Sequence, residues 1–254
     1  MFESWQDHTI LLVIIYLSHL RYQRSIIVNF NLTLQNRIKN MKIAIIIGAT
    51  GLTGKALLYQ LLDDKQFSTV ILFLRKELNI SHPKLIQHCI DYNKLETCKD
   101  LIKGDVVFCC LGTTIKVAGS QEAFKKVDYT YATEFAKIAK QNNVSTFCLQ
   151  SSLGADSKSN NFYLKVKGET EDFIRDLNFG SFASFRPSML LGNRTEFRLG
   201  ETIGKTVMQG LSFMFIGKLK RYKAIHVNQV ASAMIKHATE NKAGNIIIEN
   251  EEML

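Results

Sequence analysis

The chain has 254 residues, 46% hydrophobic and 22% charged, with two prolines and no low-complexity tract, which excludes a disordered protein and suits one large α/β domain. Its net charge of +9 and pI near 9.3 favour anionic ligands, but no zinc-finger spacing, aromatic RNA-binding motif or long basic tail points to nucleic acid. The five cysteines are odd in number and contain no C-x-x-C, which argues against a disulfide framework or a metal site and for a reducing, cytoplasmic setting.

Residues 1–40 read differently from the rest. Ile10 to Leu17 is an unbroken apolar run, too short for the roughly 20 residues of a spanning helix. No basic segment precedes it and no small-residue cleavage site follows, so it is a poor signal peptide. The expectation is an N-terminal extension, poorly ordered or not native, with the fold starting near Met41. An interfacial anchor using Arg21, Arg24, Arg37 and Lys39 is the competing reading.

From Lys42 short apolar runs alternate with helical periodicities. Strands are predicted at Lys42–Ile47, Val70–Leu74, Leu85–Asp91, Val106–Leu111 and Thr146–Gln150, with later ones at Ser181–Arg186 and Asn245–Glu249. Helices are predicted at Gly54–Leu62, Gln121–Gln141 and Tyr163–Leu177. Runs such as IAIII suit strands buried on both faces, so the expected architecture is a doubly wound parallel sheet, the Rossmann fold, with a short C-terminal substrate-side region.

The first strand leads into Gly48, Ala49, Thr50, Gly51, Leu52, Thr53 and Gly54, a G-x-x-G-x-x-G loop that opens a helix. Such a loop offers backbone N–H groups and a positive helix end to the pyrophosphate of a dinucleotide. The second strand runs into Arg75 and Lys76, where an NAD enzyme usually carries a carboxylate for the ribose 2′-hydroxyl. Two cations there can pair with a 2′-phosphate, so NADPH is expected in preference to NADH. Asp91, at the end of the third strand, is a candidate for the adenine side.

Tyr163 and Lys167 stand four apart and so share one helix face. Reducing a carbonyl needs a proton donor at oxygen while hydride reaches carbon. An ammonium beside the phenol eases that donation by stabilising the phenolate left behind. The fifth strand ends in Ser151 and Ser152, and a hydroxyl there can polarise a substrate oxygen. Ser152 is taken as the catalytic hydroxyl and Ser151 as structural.

GATGLTG (48–54), FCCLGTT (108–114), KVDYTYA (126–132), QSSLGADSKSNNFYLKVKGETE (150–171) and FRPSMLLGNRTEFRLGE (185–201) together resemble the atypical short-chain dehydrogenase/reductase superfamily, and most of all the Tat-interacting-protein oxidoreductase-like family. The resemblance implies NADPH binding with Ser152, Tyr163 and Lys167 as catalytic residues. It also implies that Leu111, Gly112 and Thr113 border the nicotinamide and that Pro187 to Leu190 close over it. One departure stands out: many relatives place an Asn on the fourth helix to complete a proton relay, and the matching stretch here offers Asp128.

The implied activity is NADPH-dependent reduction of a small carbonyl substrate, with no metal, no nucleic-acid partner and no membrane. The competing reading is an NADPH-binding sensor or assembly protein that reports cofactor to a protein partner without turnover. Cys109 and Cys110 are neighbours on a strand and are expected to point to opposite faces as core residues. The stretch Lys218, Lys220, Arg221 and Lys223 reads as a solvated face, the Phe and Tyr residues of 124–136 as a helix core face, and Val227–Ala231 as a structural return from the substrate side.

Overall fold

Six residues, KIAIII, set the frame. Four of them are sealed from solvent on both faces, and the strand they form, β1 (Lys42–Ile47), lies in the middle of the sheet. In the computed structural model Arg24 and residues 41–192, 217–240 and 242–254 are described. The chain divides into two units, Met1–Met41 and Lys42–Leu254. The readings placed on residues 10–17, on the other basic residues before Met41 and on residues 193–201 lie outside the described residues.

Seven parallel strands follow the order β3-β2-β1-β4-β5-β6-β9, with β2 at Phe67–Leu74, β3 at Leu85–Cys89, β4 at Val106–Cys109, β5 at Thr146–Gln150, β6 at Ser181–Arg186 and β9 at Gly244–Glu249. The short strands β7 (Leu190–Leu191) and β8 (Ile225–His226) form a separate parallel pair. The order reverses between β1 and β4, and in open α/β sheets that reversal opens a crevice at the carboxyl ends of the strands.

Helices cover both faces. One face buries Leu57, Leu58 and Leu61 of α1 (Leu52–Asp63) against Ala44, Ile46, Leu72 and Phe108. The other packs Phe135 and Ile138 against Ile45, Phe73 and Phe147. Burying each such phenylalanine contributes about 1.5–3 kcal/mol relative to leaving it exposed. Cys110 belongs to the first cluster and Cys109 to the second, so the neighbours point apart as expected.

Several boundaries differ from the sequence reading, each for a local reason. β2 starts at Phe67, because Lys42 donates its N–H to the Gln66 carbonyl and pairing begins there. β3 stops at Cys89, because Asp91 turns the chain into a 3-10 segment, Tyr92–Leu101, by accepting from the Asn93 N–H at 2.9 Å. The helix expected over Gln121–Gln141 is broken into α3 (Gln121–Lys125), a π-helical turn (Lys126–Tyr131) and α4 (Ala132–Gln141). At the end of the wide turn Thr133 lends its hydroxyl to the carbonyls of Tyr129 and Thr130. Phe124 and Phe135 are core residues, whereas Tyr129 and Tyr131 are only half-buried. Before α3, residues Ile115–Ala118 form one further helical turn, α2, and Phe162–Asp176 form α5.

Val227–Ala231, read as structural, is the start of a helix, α6 (Val227–Thr239). His226 caps it, Gln229 completes the capping box, and Val230, Ala231 and Met234 enter the core. Its hydrogen bonds to Gln60 of α1, from Ser232 at 3.0 Å and through the Asn228 carbonyl at 3.1 Å, tie α1 and α6 together.

The five thiols differ sharply in environment. Cys89 is exposed and the other four are buried, and burial pushes Cys109 up to about 12 and raises Cys98, Cys110 and Cys148 as well. A thiol-reactive chromogenic disulfide should therefore titrate one cysteine per native chain and all five after unfolding. Two or more fast thiols in the native protein would contradict this packing.

Candidate active site

All seven strands run in parallel, so every loop that carries an expected site residue leaves the sheet at the same edge. Gly48–Gly54 follows β1, Arg75 and Lys76 follow β2, and Asp91 follows β3. Leu111–Thr113 follow β4, Ser152 follows β5, and Pro187 follows β6.

The loop after β1 is shaped by close backbone approach. Gly48 has φ +83°, and a Cβ there would lie 2.4 Å from the Cys110 carbonyl. A Cβ on Gly54 would lie 2.2 Å from the Gly48 carbonyl oxygen. The turn is closed by the Gly51 N–H donating to that same oxygen at 3.0 Å. Gly51 is also the N-cap of α1 and has no side chain to satisfy the first-turn N–H groups, so they stay available to an anion. Thr53 has a buried hydroxyl without a hydrogen-bond partner. An open helix N-terminus, a bare glycine approach and an orphaned hydroxyl fit a dinucleotide pyrophosphate.

The loop after β4 carries Leu111, Gly112 and Thr113 towards α5. Tyr163 and Lys167 stand one turn apart on α5, which Asn161 caps by accepting from the Leu164 N–H at 3.2 Å. Tyr163 is half-buried and its ring packs on Phe124 with centroids 5.4 Å apart. Lys167 is only 7% exposed. Its Nζ lies 2.6 Å from Oδ1 of Asp128, which is itself buried on the π-helical turn. The other Asp128 oxygen accepts from the Thr113 N–H at 2.9 Å. Burial on its own would push Lys167 towards the neutral amine, but Asp128, with help from Tyr163, overcomes that and holds the ammonium above the ordinary lysine range.

Other links hold this group in place. Thr170, one turn beyond Lys167, donates to the Asp128 carbonyl at 3.1 Å. The segment after Ser152 lies directly on α5, where Asp156 donates its N–H to the Leu164 carbonyl at 3.1 Å. Leu153 donates to the Pro187 carbonyl at 3.0 Å, joining the loops after β5 and β6. Arg186 bonds Glu171 of α5 through two nitrogens, at 2.6 and 3.0 Å, and Glu249 of β9 at 3.2 Å.

The structure thus sets the loop after β1 against Cys110, Gly112 against Lys167, Thr113 against Asp128, and the segments after β5 and β6 against α5 and each other. Arg75 and Lys76 are exposed two strands from β4, and no ion pair among the described residues holds either. Asp91, three strands away, already accepts from the Asn93 N–H and side-chain amide through Oδ1. Ser152 is half-buried, while Ser151 is buried with an unpartnered hydroxyl. The sequence reading missed the partnership of Asp128 with Lys167 and Thr113, and also Thr170. Asp128 stood out only as a departure from Asn, and nothing in the linear spacing of 39 residues links it to Lys167.

Comparison with known proteins gives the family and agrees with the fold. The model of a family described as NAD(P)H-binding matches residues 48–241. The chain is 35% identical to Protein HTATIP2 of Rattus norvegicus over 84% of this chain and 88% of that protein. It is 33% identical to Protein FMP52, mitochondrial, of Candida albicans over 73% of this chain and 84% of the relative. Among solved structures, the Bordetella bronchiseptica enzyme WbmH in complex with NAD+ aligns with TM-score 0.61 at 18% identity, over 82% of this chain and 75% of that one. A short chain dehydrogenase family protein from Francisella tularensis aligns with TM-score 0.59 at 15% identity, over 84% and 98%.

Gly54→Ala tests the loop. The added methyl meets backbone that cannot swing away, so the variant should lose about 1–3 kcal/mol of stability, read as a lower melting temperature. An unchanged melting temperature would mean that α1 does not press on the turn as described.

Proposed function

Since the chain belongs to the NAD(P)H-binding family, within the short-chain dehydrogenase/reductase superfamily, we propose that it is an oxidoreductase that reduces a small carbonyl compound with NADPH. The observation that carries this reading is the buried ammonium of Lys167, set one turn from Tyr163 and beside the Gly112 loop. A Cβ on Gly112 would lie 3.6 Å from the Lys167 Nζ, so the loop after β4 passes directly by that charge.

The residues divide the work by position. The N–H groups of Thr50, Leu52, Thr53 and Gly54 and the positive end of α1 hold the pyrophosphate, with the Thr53 hydroxyl as a further donor and Gly51 giving close backbone approach. Arg75 and Lys76 pair with the 2′-phosphate. Asp91 keeps Oδ2 for the adenine side, because Asn93 engages Oδ1. Leu111, Gly112, Thr113 and Pro187 flank the nicotinamide side, and Lys167 donates to the neighbouring ribose hydroxyls. The nicotinamide supplies hydride when bound. Ser152 donates a hydrogen bond to the substrate oxygen, and Tyr163 gives that oxygen its proton while Lys167 stabilises the phenolate that remains.

Arg75→Ala should cut the preference for NADPH over NADH about tenfold, through loss of NADPH affinity alone, in titrations followed by thermal shift. Equal loss for both cofactors would remove Arg75 from 2′-phosphate recognition. Tyr163→Phe should keep NADPH affinity and lose about 100-fold or more of the NADPH oxidation driven by a panel of small aldehydes and ketones. Unchanged turnover in that variant would end the proposed mechanism.

Among the described residues no helix is long and apolar enough to cross a membrane. We place the protein in the cytoplasm, where its thiols stay reduced; the FMP52 relatives named as mitochondrial make the mitochondrion the alternative that subcellular fractionation decides.

A further inference from the structure

Among the described residues, few groups that carry or acquire charge act on Lys167. Tyr163 lies on its own helix, Asp128 on the π-helical turn, and Cys109 at the end of β4, with Cys110 further round on the opposite face. The loop after β4 passes Lys167 at Gly112 and donates the Thr113 N–H to Asp128. Asp128 is the one group among these that brings a full negative charge to hydrogen-bonding distance, at 2.6 Å.

The two oxygens of Asp128 meet two donors. Oδ1 faces the Lys167 ammonium and Oδ2 faces the Thr113 N–H, and neither donor can turn round to accept. An Asn at this position has one oxygen, and its NH2 would have to face one of those donors. The pocket is therefore built for a carboxylate. Thr170 fixes the backbone of the same residue from α5, so Asp128 cannot shift without pulling on the helix that carries Lys167.

We propose that Asp128 is a positioning residue that keeps Lys167 a charged, aimed ammonium and locks the Thr113 loop to it. This rests on the reading of Lys167 as a cofactor-binding residue. Desolvation is the largest influence on Lys167 and acts against its charge, so without the carboxylate the buried lysine gives up its proton as pH rises. A neutral amine makes weaker hydrogen bonds to ribose hydroxyls than an ammonium does.

The test is NADP+ affinity of the full-length chain from pH 7.0 to 9.5, compared between Asp128→Asn and wild type at each pH. The ratio of dissociation constants should grow about fivefold across this range, the difference between a charge-assisted and a neutral hydrogen bond. Adding Lys167→Met to Asp128→Asn should make the profile parallel to that of Lys167→Met alone. A constant ratio for Asp128→Asn, or a slope that persists without Lys167, overturns the proposal.

Thermal unfolding covers the case in which Asp128→Asn does not fold. Recovery of a folded chain in the double variant supports the pairing, because an unpaired buried ammonium was then the fault. Failure of the double variant as well overturns it. Absence of NADP+ binding by the wild type would instead defeat the proposed function, and the unfolding comparison would still decide the role of Asp128.

Discussion

A positive charge taken out of water must be met by something, and at the carboxyl edge of this sheet the arrangement follows from how Lys167 is met. Removing a lysine ammonium from solvent costs several kcal/mol, and a carboxylate buried beside it costs a similar amount. The pair is tolerable only if contacts are short and the remaining oxygen is occupied. Both conditions hold, because Asp128 spends one oxygen on Lys167 and the other on the Thr113 N–H. Three elements distant in sequence, the loop after β4, the π-helical turn and α5, thereby become one rigid unit. A surface ion pair such as Lys137 with Glu134 has no comparable hold, since solvent competes for both partners.

The second constraint is contact between backbones. The loop after β1 needs the chain to pass Cys110 with no room for a side chain, and α1 needs to start against the Gly48 carbonyl. These contacts set where the helix N-terminus points and leave its N–H groups uncapped. The glycine-loop end of the crevice is made by absence of side chains, and the α5 end by a buried ion pair and the backbone N–H that it accepts. Arg186, bonded to Glu171 and Glu249, plays a similar bracing role further along, joining α5 to the last two strands.

Much of this was legible in the linear sequence because parallel strands buried on both faces leave an almost continuous apolar signature. Lys42–Ile47, Thr146–Gln150 and Ser181–Arg186 have the predicted limits, and the glycine loop sits where its spacing placed it. What the sequence could not display is interaction across the fold. A 3.6-residue periodicity carries on through Gln121–Gln141, yet the chain widens at Lys126–Tyr131 to turn Asp128 inwards, and only the finished packing shows why. Val227–Ala231 hid a helix start for a subtler reason: its cap is His226, an unusual N-cap residue, so no Ser, Thr, Asp or Asn announced it. Asp128 was visible as an exception to a pattern, but its meaning depended on two donors from elsewhere.

The central place of β1 has a consequence for how the molecule comes into being. The first strand of the sheet to leave the ribosome pairs on one side with β2 but on the other with β4, where Ala44 meets Val106, 62 residues later. The carbonyl that shapes Gly48 belongs to Cys110, so the phosphate loop takes its final form only after that residue has been made. Closing such a loop exacts chain entropy before any contact rewards it, which slows assembly of parallel sheets. During synthesis the nascent IAIII segment waits with one open edge, the kind of surface that chaperones shield and that aggregation exploits. The same central position that buries β1 in the mature sheet leaves it with an unpaired edge in the newborn chain.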